Sequence, residues 1–212
     1  STYRGKSYTF NHGVHPEEFK ELSNTCKIQR MPFIEEYTLP LGQHIGALSE
    51  CLVKKGQEVK RGELIAKASG FISSALHSPV DGTISYVGIV DTPKGEMQRG
   101  VRIKTNEFSN QIFNEEPINY TDLSENQFVS AVQNAGIVGL GGAAFPSHVK
   151  FSIPKDKECK YIMLNGCECE PFLTADHRTM VEYPESIIDG INILNHFIKA
   201  EKAYIAIEDN KP

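Results

Sequence analysis

The chain has 212 residues, of which 40% are hydrophobic and 23% charged, and it carries a formal net charge of −5. That length can bury a proper core as one large domain or two modest ones, and the composition is that of an ordinary soluble globular protein. The acidic balance argues against nucleic acid as the main partner, because neutralising phosphates needs clustered Lys and Arg, and the basic run Lys54-Lys55 and Lys60-Arg61 is broken by Gly56 and Glu58.

No apolar stretch approaches the ~20 residues of a membrane-spanning helix. The N-terminus also lacks the apolar core of a signal peptide. Any work at a membrane is therefore expected of a peripheral subunit. The five cysteines (Cys26, Cys51, Cys159, Cys167 and Cys169) are odd in number and unevenly spaced. They do not read as a disulfide framework, which favours a reducing cytoplasm.

Residues 1–35 are polar and broken by Gly13, Pro16 and Pro32. They read as an extended lead-in that packs on something larger. Residues 36–104 change character. The short β-rich runs Glu50–Val53, Glu63–Ala66, Thr83–Val87 and Val101–Ile103 are separated by Lys55-Gly56, Arg61-Gly62 and Asp81-Gly82. Strands this short with turn signals this regular predict a small all-β sandwich or barrel. Residues 105–121 read as a polar connector.

From residue 122 to 212 the pattern becomes α/β. Ser124 and Gln127 form a capping-box signature opening a helix over Glu125–Ala135, with Gly136 at its C′ position. Tyr161–Leu164 is a short strand candidate. Pro184 suits the first position of a helix running to about Ala200, with Ile187, Ile191, Leu194 and Ile198 on one face. Ala203–Ile207 is the next strand. A strand–helix–strand order predicts two parallel strands joined by a right-handed crossover.

Two motifs carry the chemistry. Gly139-Leu140-Gly141-Gly142-Ala143-Ala144-Phe145-Pro146 lets backbone N–H groups approach an anion with no Cβ in the way. It fits the letters G-x-G-x-x-A but follows a helix rather than a strand, so the usual dinucleotide fingerprint fails its own context test. The bland alternative is a tight inter-helix loop. A helix starting after Pro146-Ser147 would aim its first N–H groups at a phosphate, with Lys150 as a point charge for the same anion.

Asn165-Gly166-Cys167-Glu168-Cys169-Glu170-Pro171 is the second motif. In a parallel βαβ unit both strands end at one sheet edge, where ligands bind. Residues 165–171 and Glu208-Asp209-Asn210 then share that edge and offer amide and carboxylate groups to a ribityl chain, a ribose or a heterocycle. Glu168 and Glu170 read equally well as solvated loop acids. The C-x-C pair lacks the about four ligands of a zinc or cluster site, so cofactor-lining residues are the favoured reading. Asp176-His177-Arg178 has no nucleophile elbow nearby, and Arg178 reads as a structural partner of an acid or a carbonyl. His12, His15, His44, His77, His148 and His196 show no ligand spacing.

Three resemblances follow from these residues. Leu52–Ile65 with His77–Ile84 resembles the biotinyl/lipoyl family, whose fold is a barrel-sandwich hybrid. Carriers of that family bear a modifiable lysine on a hairpin tip, whereas the tip here, Ser69-Gly70-Phe71-Ile72-Ser73-Ser74, has none. A docking or structural module is the expectation, with a docking adaptor on a scaffold α/β domain as the alternative function. Gly13-Val14-His15-Pro16, this module, the glycine run and Leu164–Arg178 together resemble the RnfC family, the C subunits of Rnf electron-transport complexes. The glycine run and the Asn165 turn are also similar to those of the flavin- and NADH-binding subunit of respiratory complex I.

The resemblance implies a barrel-sandwich hybrid followed by a Rossmann-like α/β domain binding FMN and NAD(H). It assigns cofactor contacts to Gly139, Gly141, Gly142, Ala143 and Lys150, to Asn165, Cys167, Glu168 and Glu170, and to Glu208 and Asn210. In the complex I relative an acid and a serine stand where this chain has Cys167 and Cys169. The resemblance further implies an ion-translocating ferredoxin:NAD oxidoreductase on the cytoplasmic side of the bacterial inner membrane. Its partners are the other Rnf subunits and ferredoxin-derived electrons, and its 4Fe-4S clusters are bound by C-x-x-C-x-x-C-x-x-x-C-P motifs. Those motifs do not occur before Pro212, so the sequence reads as an N-terminal fragment without cluster ligands.

Overall fold

Short Val- and Ile-rich runs bounded by glycine turns pack well as pleated, half-buried strands. The computed structural model describes residues 14, 16–113, 117–154, 156–208 and 210–211. His12, Gly13, His15 and Asp209 lie outside the described residues. The strands are β1 (Glu36–Pro40), β2 (Glu50–Cys51), β3 (Glu58–Val59), β4 (Leu64–Lys67), β5 (Leu76–His77), β6 (Gly82–Asp91) and β7 (Met97–Thr105). They form an antiparallel four-stranded sheet in the order β1-β7-β6-β3 and a three-stranded sheet in the order β2-β4-β5.

Val53, Val59, Ile65, Val80, Ile84, Val101 and Ile103 are buried as one cluster, with Tyr37, Leu39, Cys51 and Leu76 packed against it. The central hairpin is longer than Thr83–Val87 and Val101–Ile103 predict, and β2 is shorter than Glu50–Val53. Pairing of β6 with β7 continues through Gly88↔Gly100 to Asp91↔Met97. Backbone hydrogen bonding carries the ladder through Gly88 and Gly100, which have little strand propensity, to Ile89 and Val90, which favour strands. The connector is also less loose than its polarity predicts. Gln111 is buried, accepts from Asp81 N–H at 2.7 Å, and its carbonyl receives the Arg61 guanidinium at 2.9 Å.

Next in the chain come α1 (Glu125–Asn134), β8 (Val138–Gly139), β9 (Phe145–Pro146) and α2 (Ser147–Phe151). The capping box on α1 is complete, with Ser124 and Gln127 exchanging side-chain-to-backbone bonds. Phe128 and Val132 are its buried face, and Phe128 stacks on Phe197 with ring centroids 4.1 Å apart. Gly136 has φ +75°, and a Cβ there would stand 2.7 Å from the Ala75 carbonyl oxygen. Only glycine meets both demands.

β10 (Tyr161–Asn165), α3 (Ala175–Glu182), α4 (Pro184–Ile198) and β11 (Lys202–Ala206) complete the order. β10 and β11 pair in parallel from Tyr161↔Lys202 to Asn165↔Ala206, which is the strand relation the βαβ reading predicts. The sequence pattern does not predict α3. Apart from Ala175 its apolar residues are the adjacent Met180 and Val181, which mark no stripe along one face. The chain divides into two compact units, one of Met31–Lys160 with Ile193–Lys199, the other of Ser1–Arg30, Tyr161–Asn192 and Ala200–Pro212. No helix among the described residues is long and apolar enough to cross a membrane.

Ile84 is fully buried in the β core. Ile84→Ala is expected to cost about 2–5 kcal/mol, against about 1 kcal/mol for Ser124→Ala at the α1 cap. Urea denaturation of both variants checks the order, and a smaller loss at Ile84 contradicts the assignment of the core.

Candidate functional site

In the larger unit the glycine run is the tip of a small hairpin. β8 and β9 pair through Val138↔Pro146 and Gly139↔Phe145. A helix does start at Ser147, as expected, but α2 has only five residues. The Ser147 N–H is already engaged by the Ile137 carbonyl at 3.0 Å. Of the first N–H groups of this short helix, that of Ser147 is therefore not open to an anion.

What the tip offers is room. A Cβ on Gly141 or on Gly142 would meet no atom within 4 Å, and neither glycine has a positive φ. Neither backbone conformation nor protein packing therefore requires glycine at these two positions. The Cβ position of Gly139 lies 3.9 Å from Lys150 Nζ, so that ammonium stands beside the base of the loop. The Ala143 carbonyl accepts from Ile45 N–H at 3.2 Å, which ties the loop to the segment before β2.

In the smaller unit the chain leaving β10 turns back on itself. Asn165 Oδ1 accepts from Cys167 N–H at 3.1 Å, an Asx turn. Gly166 N–H donates to the Ala206 carbonyl at 2.7 Å, and a Cβ on Gly166 would lie only 2.8 Å from Met180 Sδ. Glu168 is 3% exposed, so the solvated-acid reading fails for it. Its Oε1 accepts from Asp176 N–H at 2.9 Å in the first turn of α3, while its Oε2 is buried with no hydrogen-bond partner among the described residues. Glu170 is exposed.

Cys167, Cys169 and Glu208 gather at the carboxyl ends of β10 and β11, as the parallel pairing requires. Asn210 instead directs its amide to Glu18 Oε2 at 3.2 Å. The glycine run and Lys150 belong to the other unit. Among the described residues no three His, Cys, Asp or Glu side chains gather as a metal site.

Sequence reasoning missed the lead-in's contribution. Lys20, 8% exposed, donates Nζ to the carbonyls of Glu168, Glu170 and Leu173, the latter two at 3.3 and 3.1 Å. Phe19 stacks on Phe172 at 4.9 Å, and Phe172 N–H donates to the Glu18 carbonyl at 2.7 Å. No periodicity marks such a residue, because its partners are carbonyls far away in the sequence. Arg178 behaves as read: it pairs with Glu182 and donates to the Asn24 carbonyl at 3.1 Å.

The electrostatics of the turn are acidic. The charge of Glu208 pushes the Cys169 thiol above its ordinary range, helped by lost hydration and by Glu170. Lost hydration likewise raises the Asp176 carboxyl, with Glu168 and Glu170 adding to it. Thiolate is the reactive form of cysteine, so exposed Cys169 is expected to alkylate slowly at neutral pH. Glu208→Gln should speed iodoacetamide labelling of Cys169, followed by peptide mass spectrometry, and move its pH profile downward. An unchanged rate contradicts the pairing. Lys20→Met strands the carbonyls that Lys20 serves and is expected to cost about 1–3 kcal/mol. Faster hydrogen exchange over residues 166–174 checks it.

Residues 8–107 match the family described as the RnfC barrel sandwich hybrid domain, and residues 132–212 match the Nuo51 FMN-binding domain. The C subunit of the proton-translocating ferredoxin:NAD(+) oxidoreductase complex of Clostridium ljungdahlii is 39% identical over 207 residues, 96% of this chain and 45% of that protein. The C subunit of the Na(+)-translocating ferredoxin:NAD(+) oxidoreductase complex of Acetobacterium woodii is 36% identical over 97% of this chain and 47% of its own length. The C subunit of the ion-translocating oxidoreductase complex of Haemophilus influenzae is 35% identical over 98% of this chain and 32% of its own length. The chain thus spans half or less of these relatives. Over the region it covers, the chain belongs to the RnfC family, the C subunits of Rnf-type ion-translocating oxidoreductase complexes.

Proposed function

We propose that this chain is the flavin-holding part of an electron-transfer subunit in a membrane-associated ferredoxin:NAD oxidoreductase complex. The observation that carries the reading is the free space at Gly141 and Gly142 in a hairpin tip that Lys150 flanks, within the stretch matching an FMN-binding domain. A glycine tip of this kind admits a phosphate to the backbone, and an ammonium beside it neutralises the charge. FMN, when bound, supplies the exchange between two-electron chemistry with NAD(H) and one-electron chemistry with iron–sulfur clusters.

The residues of the chain bind and orient. Gly139, Gly141, Gly142 and Ala143 carry the phosphate-facing backbone, with Lys150 as counter-charge. In the smaller unit Asn165 and Cys167 present the rim of the turn. Glu168 holds the first turn of α3 with one carboxylate oxygen and keeps the other for a donor from the flavin or nicotinamide. Glu170 and Glu208 set the negative potential there, and Asn210 positions the segment after β11 through Glu18. No side chain needs to act as acid or base. The 4Fe-4S clusters, the ferredoxin-derived electrons and the remaining subunits are assigned to the rest of the complex, and this component to the cytoplasmic face of the membrane.

Gly141→Val is expected to abolish FMN binding by the intact subunit with little loss of thermal stability, since a Cβ there meets no atom within 4 Å. Titration with FMN, followed by flavin fluorescence, checks this. Unchanged flavin content in the variant removes the assignment.

A further inference from the structure

We infer that the loop of residues 69–75 is a fixed brace for the glycine hairpin, and that Gln133 and His148 are the positioning residues that make it one. The inference rests on the flavin reading for what the hairpin binds, and on geometry alone for the brace. Ser73, Ser74 and Ala75 are buried although they lie in no strand or helix. Buried irregular backbone must find partners for its carbonyls, and here they come from two directions.

From the β module, Ser49 Oγ donates to the Ser74 carbonyl at 2.7 Å and Ala47 N–H to the Ile72 carbonyl at 2.9 Å. Ser74 N–H donates to His44 Nε2 at 3.1 Å. From the helical side, Gln133 Nε2 donates to the carbonyls of Gly70 and Ser73 at 2.9 and 3.1 Å. Ala75 N–H returns a bond to the Gln133 carbonyl at 3.2 Å. His148, 1% exposed, has Nε2 at 2.7 Å from the Phe71 carbonyl. A carbonyl only accepts, so Nε2 carries the proton.

These ties reach the glycine hairpin at three places. Gln133 and Gly136 fix its approach, the latter by packing against the Ala75 carbonyl. His148 is the second residue of α2, directly after β9, and fixes its exit. The tip is reached through His44, whose neighbour Ile45 donates N–H to the Ala143 carbonyl. Ser69–Ser74 carries no amine to modify and is pinned along its length, so it serves as a support rather than an arm. A loop held in place before its ligand arrives loses less freedom on binding.

The test uses the intact subunit and the variants Gln133→Leu, His148→Leu and His148→Gln, each measured without flavin and with FMN. Hydrogen exchange over residues 137–146 is expected to quicken, and FMN affinity to weaken, about tenfold in His148→Leu, the effect of one lost hydrogen bond, and by at least about tenfold in Gln133→Leu, which loses the bonds to both Gly70 and Ser73. His148→Gln keeps a donor and should restore both. Amides of β6 and β7 report that the module stays folded. Should His148→Leu fail to fold, Gln133→Leu decides, because its side chain is only half-buried. Unchanged exchange over 137–146, with 69–75 released, overturns the brace. Coupled exchange in a wild type that binds no FMN upholds the brace and overturns the flavin reading.

Discussion

Packed backbone outside helices and strands must have its carbonyls hydrogen-bonded, and this demand organises one irregular segment in each unit. In the larger unit, Gln133, His148 and Ser49 serve the carbonyls of Gly70, Phe71, Ser73 and Ser74. In the smaller unit, Lys20 serves those of Glu168, Glu170 and Leu173. Donors of this kind hold an irregular segment in one conformation without making it a regular element.

The β module supplies the rigid side of that arrangement. Its core of Val and Ile side chains fixes the segments that carry His44 and Ser49, and through Ile45 it reaches the glycine tip. The module thus connects packing to chemistry without holding a reactive group. The turn after β10 is built differently. There the parallel register brings Cys167 and Cys169 beside the exit of β11, and Glu168 links the turn to α3. The charge of Glu208 raises Cys169 against ionisation, and lost hydration raises Asp176, with Glu168 and Glu170 adding to it.

Much of this is legible in the residues. The capping box at Ser124 and Gln127, the C′ glycine at Gly136, the Val and Ile runs of the module and the parallel pair β10–β11 all follow from local patterns, and each stands where those patterns put it. The reach of β6 and β7 past Gly88 and Gly100 is not legible, because the two glycines interrupt the run of strand formers and only cross-strand bonding bridges them. α3 escapes because its few apolar residues form no helical stripe, and β8–β9 because strands of two residues leave no period to read. Of the candidate site, the two motifs and Glu208 can be placed from the sequence. The burial of Glu168, the engagement of Asn210 with Glu18 and the clamp of Lys20 cannot, since each depends on a partner outside its own local segment.

The sequence by itself determined the types of the longer elements and the order of the β module and the α/β segment, because propensity, periodicity and capping act within a few residues. Only the tertiary structure decided which carbonyls needed donors and which side chains provided them. It turned a lysine-less tip loop into a support and a polar lead-in into a clamp. Those outcomes are set by burial, and burial arises only when distant segments pack together.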